Sequence, residues 1–106
     1  MTEQTSTLSS NTLYAKLLGE TAAITWQELQ PYFARGALLL VGETQDLIAV
    51  AQAVAENDQG RVSAWLANDQ LKKIDDGCAA NLLARDPSLW AVVVAPWVLV
   101  QERRED

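Results

Sequence analysis

Histidine is absent from the 106 residues. With it go the commonest general base, the commonest transition-metal ligand and the usual activator of a nucleophilic serine or cysteine. Carboxylates, a few cations and one thiol remain. Glu20, Glu28, Glu43 and Asp46 fall near helix ends and the first strong strand, where two of them together would bind a metal or act as acid and base. No spacing enforces such a pair. Glu28 stands three residues after Thr25, the spacing of a capping box, and Asp46 opens an apolar helical pattern, so both also have structural tasks. Glu28 with Arg35 is one candidate ligand site, where Arg35 would pair with Glu28 or stack on Trp26 or another aromatic, and a helix-end cation is the plainer reading. Cys78, flanked by Gly77 and Ala79, reads as an inert thiol. No catalytic residue, metal site or cofactor is assigned.

Hydrophobic periodicity supplies the elements that hold these residues. Asn11 or Thr12 caps a helix from Leu13 to about Thr21, with Leu13, Leu17 and Leu18 at helical spacing. The Thr25 box opens a second helix from Trp26 to Arg35, whose buried face is Trp26, Leu29 and Phe33. Pro31 predicts a kink or restart inside it, and Gly36 a left-handed stop. Ala37 to Val41 reads as a buried strand between two glycines. Asp46 to about Glu56 and Gln59 to Asn68 read as helices, the latter with Val62, Trp65 and Leu66 inward. Leu71 to Ile74 alternates as a half-buried strand. Asp75 to Pro87 is one small helix or a long loop. Leu89 to Val100 is a strand or strand pair, with Pro96 at an edge or bulge.

This order predicts an α+β domain resembling a winged helix, with three to five helices packed on a small antiparallel sheet. Leu47 to Ile74 resembles its helix-turn-helix, although Ala51 lies about one position too far from Val62. Residues 12–102 form one globular domain, with a polar tail at 1–11 and a charged end at 103–106. A mass of 11.6 kDa with 49% hydrophobic and 21% charged residues suits one soluble core. Arg61, Lys72 and Lys73 would flank the recognition helix and meet phosphates. The formal charge of -6 opposes that, as do Glu56, Asp58 and Asp69 close by, and a solvated mixed-charge face is the plainer reading. The polar N-terminus has no signal-peptide pattern, and the apolar run Leu89 to Val100 is well short of the ~20 residues of a membrane helix. A cytoplasmic protein without membrane contact is expected.

LLGETAAITWQELQPYFARG at Leu17 to Gly36 and WAVVVAPWVLVQE at Trp90 to Glu102 resemble a family of small bacterial proteins that carries only a domain-of-unknown-function label. DLIAVAQAVAENDQGRVSAWL, from Asp46 to Leu66, has the same look. The resemblance implies a cytoplasmic bacterial protein and supplies no mechanism.

Four tryptophans are present, and Trp90 and Trp97, seven residues apart, are expected on opposite faces of one extended run. A strand apolar on both faces needs a cover, either a helix of its own fold or another chain. Trp90, Val93, Trp97 and Leu99 are therefore the candidate interaction residues. The sequence points to a small binding module without catalysis whose partner is a protein, possibly a second copy. The alternatives are a winged-helix DNA-binding regulator and a small-ligand protein or enzyme built on carboxylates.

Overall fold

The computed structural model describes residues 12–103, so the tail expected at 1–11 and most of the charged end at 103–106 lie outside the described residues. Local signals start and stop each helix. α1 spans 12–20 and closes where the Thr21 hydroxyl donates to the Leu17 carbonyl. β1, Ala22–Ile24, leads to α2, Trp26–Ala34, which opens with the expected capping box of Thr25 and Glu28. Pro31 lies within α2 without dividing it, and Gly36 takes a φ of +71°, a region open to a residue without Cβ. β2 is Leu38–Val41; α3 is Leu47–Ala55, capped by Asp46; α4 is Gln59–Ala67, capped by Asp58. β3 is Leu71–Lys73. The segment that reads as helix or loop is α5, Asp76–Arg85, capped by Asp75. β4, Leu89–Val94, and β5, Trp97–Glu102, form a hairpin across the cis Ala95–Pro96 bond.

The five strands make one sheet in the order β1-β4-β5-β2-β3. Side chains alternate across it, so each strand feeds two cores. Leu39, Val41, Val92, Val94 and Leu99 pack under α1, α3 and α4, while Leu38, Leu89, Ala91, Val98 and Val100 pack under α2 and α5. Helices thus cover both faces, and the α+β class holds, with five helices among the described residues. Winged-helix similarity is not confirmed. The sheet is also mixed where an antiparallel one was expected, because β2 runs parallel to β5. The reason is connectivity: β5 reaches β2 only after the chain has crossed the sheet through two layers of helix, and such a crossover can return in either direction.

Both edges of the sheet are short. Arg103 N–H donates to the Ser88 carbonyl at 2.8 Å, which makes every second β4–β5 pair, including Trp90 with Gln101, a hydrogen-bonded one. Trp90 therefore turns its backbone toward β5, while Leu89 and Ala91 turn theirs toward Ile24 and Ala22 of β1. Ala23 alone in β1 faces outward. At its flanks Thr21 N–H is taken by the Leu18 carbonyl and Thr25 N–H by Glu28, so the helices on either side blunt this edge.

Candidate functional site

The carboxyl ends of β2 and β5 lie side by side, and the turn from Gly42 to Gln45 leaves one of them for the N-terminus of α3. Gln101 braces that turn: its Nε2 donates to the Gly42 and Gln45 carbonyls, each at 2.8 Å. Asp46 then does two jobs. Oδ1 accepts from Ile48 N–H at 2.9 Å and Ala49 N–H at 3.3 Å, capping α3. Oδ2 accepts from the Tyr14 hydroxyl at 2.9 Å, tying α1 to the same point. That hydrogen bond, then burial and the carboxylate charge, raise the Tyr14 pKa.

Beside this corner runs a groove of about 460 Å³ between α1, the start of α3 and the end of the β4–β5 hairpin. Leu18, Leu47, Ile48 and Trp90 give it apolar walls, while Thr21, Gln45, Asp46 and Gln101 supply polar atoms. Leu18 is 56% exposed and Trp90 36% exposed, so two large apolar side chains face solvent here together. The Arg103 guanidinium lies 4.4 Å from the centre of the Trp90 ring.

Trp90 and Trp97 do not fall on opposite faces. The two-residue turn pairs Val94 with Trp97 and Trp90 with Gln101, and paired residues share a face. The chain reverses between them, so the parity count for one continuous strand does not apply. Trp97 packs half-buried against the core beneath α3 and α4. Leu99 is completely buried under that core and is closed to a partner, whereas Val93, 58% exposed, is open on the α2 and α5 side. Trp90 is thus the tryptophan of this hairpin whose ring opens onto the groove.

Glu28 and Arg35 stay apart, at opposite ends of α2. Glu28 is held by the Thr25 backbone and hydroxyl, and Arg35 stacks on Tyr32 with its guanidinium 5.5 Å from the ring centre. Arg35 instead joins Val93 and Trp97 around a second cavity of about 430 Å³. Arg61 lies over Trp65, 5.0 Å from its ring centre, on α4. Lys72 pairs with Leu40 and so lies on the α2 and α5 side of the sheet, and Lys73 lies over Gly36. The three cations therefore do not form one patch.

Glu20, Glu43 and Asp46 are exposed, and among the described residues no group of three or more His, Cys, Asp or Glu is placed to hold a metal ion. Cys78 is half-buried with its pKa raised by desolvation, against a smaller pull from Lys72. Leu18, Gln101 and Arg103 were not singled out by sequence. Leu18 carried a signal, since adjacent leucines on one short helix lie ~100° apart and seldom both reach the core.

With this geometry in place, a family described as "Protein of unknown function (DUF2288)" matches residues 12–102. The chain belongs to the DUF2288 family. That membership accounts for the motifs at Leu17 to Gly36 and Trp90 to Glu102. The NMR solution structure of PA1075 from Pseudomonas aeruginosa is similar to it, with 61% identity over 89% of this chain and 87% of that one and a TM-score of 0.79. No curated protein matches.

Proposed function

We propose that this DUF2288 domain is a non-catalytic, cytoplasmic binding module that docks a protein partner in the groove beside Trp90. One observation carries the reading: Trp90 and Leu18 expose apolar surface side by side along a groove of about 460 Å³ whose backbone is braced by Gln101 and Asp46. Half-exposed aromatic side chains on a rigid scaffold are the usual anchors of protein interfaces. The cytoplasmic assignment is supported by the unpaired Cys78 and by the absence, among the described residues, of a helix long and apolar enough to cross a membrane.

The geometry does not favour a DNA-binding regulator, because Arg61 and Lys72 lie on opposite sides of the sheet and share it with a formal charge of -6. The test is selection from a displayed peptide library against the wild-type domain and against the double variant Leu18→Ser, Trp90→Ala. The wild type should enrich one sequence class that the folded double variant does not. Equal enrichment by both proteins, or none by either, would overturn the reading.

A further inference from the structure

We infer that the cavity at the turn end of the β4–β5 hairpin binds a small carboxylic acid with an apolar or aromatic body. This site is separate from the Trp90 groove. Val93 pairs with Val98 and faces the α2 and α5 side of the sheet, whereas Trp90 lies on the other side near the opposite end of the hairpin. Backbone hydrogen bonds fix the frame of the cavity. Gly36 N–H donates to the Phe33 carbonyl at 2.9 Å and Ala37 N–H to the Tyr32 carbonyl at 3.0 Å, which ends α2 at Arg35. Val98 N–H donates to the Ala37 carbonyl at 2.9 Å and seats that end against β5. Tyr32 and Arg35, three residues apart, share one face of the helix, and the guanidinium lies 5.5 Å from the ring centre. Ala37, Val93, Pro96 and Val98 give the cavity of about 430 Å³ its apolar wall, of which Val93, 58% exposed, is the open part. Trp97 borders it too, with its ring packed beneath α3 and α4.

The polar content of this wall is one-sided. Among the described residues it contains Arg35 and no acidic side chain, whereas the cavities at Asp58, Asp46 and Glu28 each carry one. Arg35 has no carboxylate within ion-pair distance, and among the described residues neither its guanidinium nor the Tyr32 hydroxyl donates to a protein acceptor. Arg35 also borders a cavity beyond Gly36, where Lys73 stands with Asp75 and Asp76. Asp75 Oδ1 is taken there by Cys78 N–H, and Lys73 adds a second cation to that side. The carbonyls at the end of α2 would oppose an anion, but those of Tyr32 and Phe33 are already occupied by the N–H groups of Ala37 and Gly36.

A guanidinium and a phenol with unused donors, beside an apolar wall in a cavity of ligand size, define what fits. A carboxylate accepts from both donors, and Arg is the cation whose planar fork matches it. The body attached to that carboxylate lies against Val93 and Pro96. A dianionic phosphate would leave one charge uncompensated beside apolar side chains, and a cationic ligand would meet the guanidinium.

The test titrates 3-phenylpropionate, 3-phenylpropanamide and acetate separately into the ¹⁵N-labelled protein at neutral pH. 3-Phenylpropionate should shift the amides of Gly36, Ala37, Val93 and Ala95 and the Arg35 Nε–H with a Kd of about 1 mM or tighter, and the Trp90 indole resonance should stay in place. The amide lacks the charge and acetate lacks the body, so each should bind at least about fivefold more weakly. Arg35→Gln should weaken 3-phenylpropionate about three- to tenfold, and Tyr32→Phe, which keeps the ring, about two- to threefold. The groups removed make no hydrogen bond within the described residues, so both variants should fold, and their own spectra report it. If Arg35→Gln does not fold, Tyr32→Phe and the comparison of acid with amide still decide. Equal binding of acid and amide, unchanged affinity in folded Arg35→Gln, shifts confined to another surface, or no shift at ~20 mM acid would each overturn the site. None of these results bears on docking at Trp90.

Discussion

Pairing parity at β1 makes a sharp prediction about two adjacent alanines. Ala22 turns its N–H toward Ala91 of β4, whereas Ala23 turns its own to solvent. Ala22→Pro removes a ladder hydrogen bond and leaves a carbonyl without its donor at Ala91, a residue only 8% exposed. A hydrogen bond of this kind is worth ~1 kcal/mol, and stranding the buried acceptor raises the cost to about 1–3 kcal/mol. Ala23→Pro loses no donor to the sheet. Both substitutions impose the same restriction on φ, so their difference isolates the bond. Urea unfolding followed by tryptophan fluorescence should place Ala22→Pro below Ala23→Pro by at least ~1 kcal/mol, equivalent to about 4 °C or more in Tm for a domain of this size. Equal loss, or the reverse order, would show that the β4–β5 ladder has the opposite phase and that Ala23 is not an outward residue.

Leu99→Ala should destabilise the fold by about 2–5 kcal/mol, because the side chain is fully buried, while Val93→Ala on the open face should cost under ~0.5 kcal/mol; a small loss at Leu99 in the same urea assay would remove it from the core. Burial raises the Cys78 pKa, so its thiolate fraction at neutral pH lies below that of a free thiol and the midpoint of its alkylation by iodoacetamide should lie above that of free cysteine. With the folded pKa above the unfolded one, thiolate formation opposes the fold, and this group makes stability fall as pH climbs through the alkaline range. Alkylation as fast as that of free cysteine would contradict the half-buried position.

Helix signals were legible wherever the chemistry was local. Thr25 with Glu28, Asp46 before its apolar helix and Gly36 after α2 each act within a few residues, and each stands where the sequence places it. β1 was not legible, since Ala-Ala-Ile is a poor strand former by itself and becomes a strand because β4 offers it an edge. The inward set of α4 was legible except for Leu66, which is 48% exposed. The parallel pairing of β2 and β5 lay beyond local reasoning, because nothing within either strand records the direction of a neighbour about 60 residues away. The site was half legible: Trp90 was identified from composition and run length, but its partner Leu18 and the brace from Gln101 depend on where α1 and the β2–α3 turn arrive in space.

The strand order also dictates how the chain acquires its shape. β5, the last strand made, pairs with β4 on one side and β2 on the other. Before it is in place, β1 with β4 and β2 with β3 are two two-stranded ribbons with no strand pairing between them. Among the described residues nothing shorter than 22–102 can close the sheet. Closure of the sheet therefore requires residues 97–102 to enter between the two ribbons, a set of contacts of high sequence separation with β2.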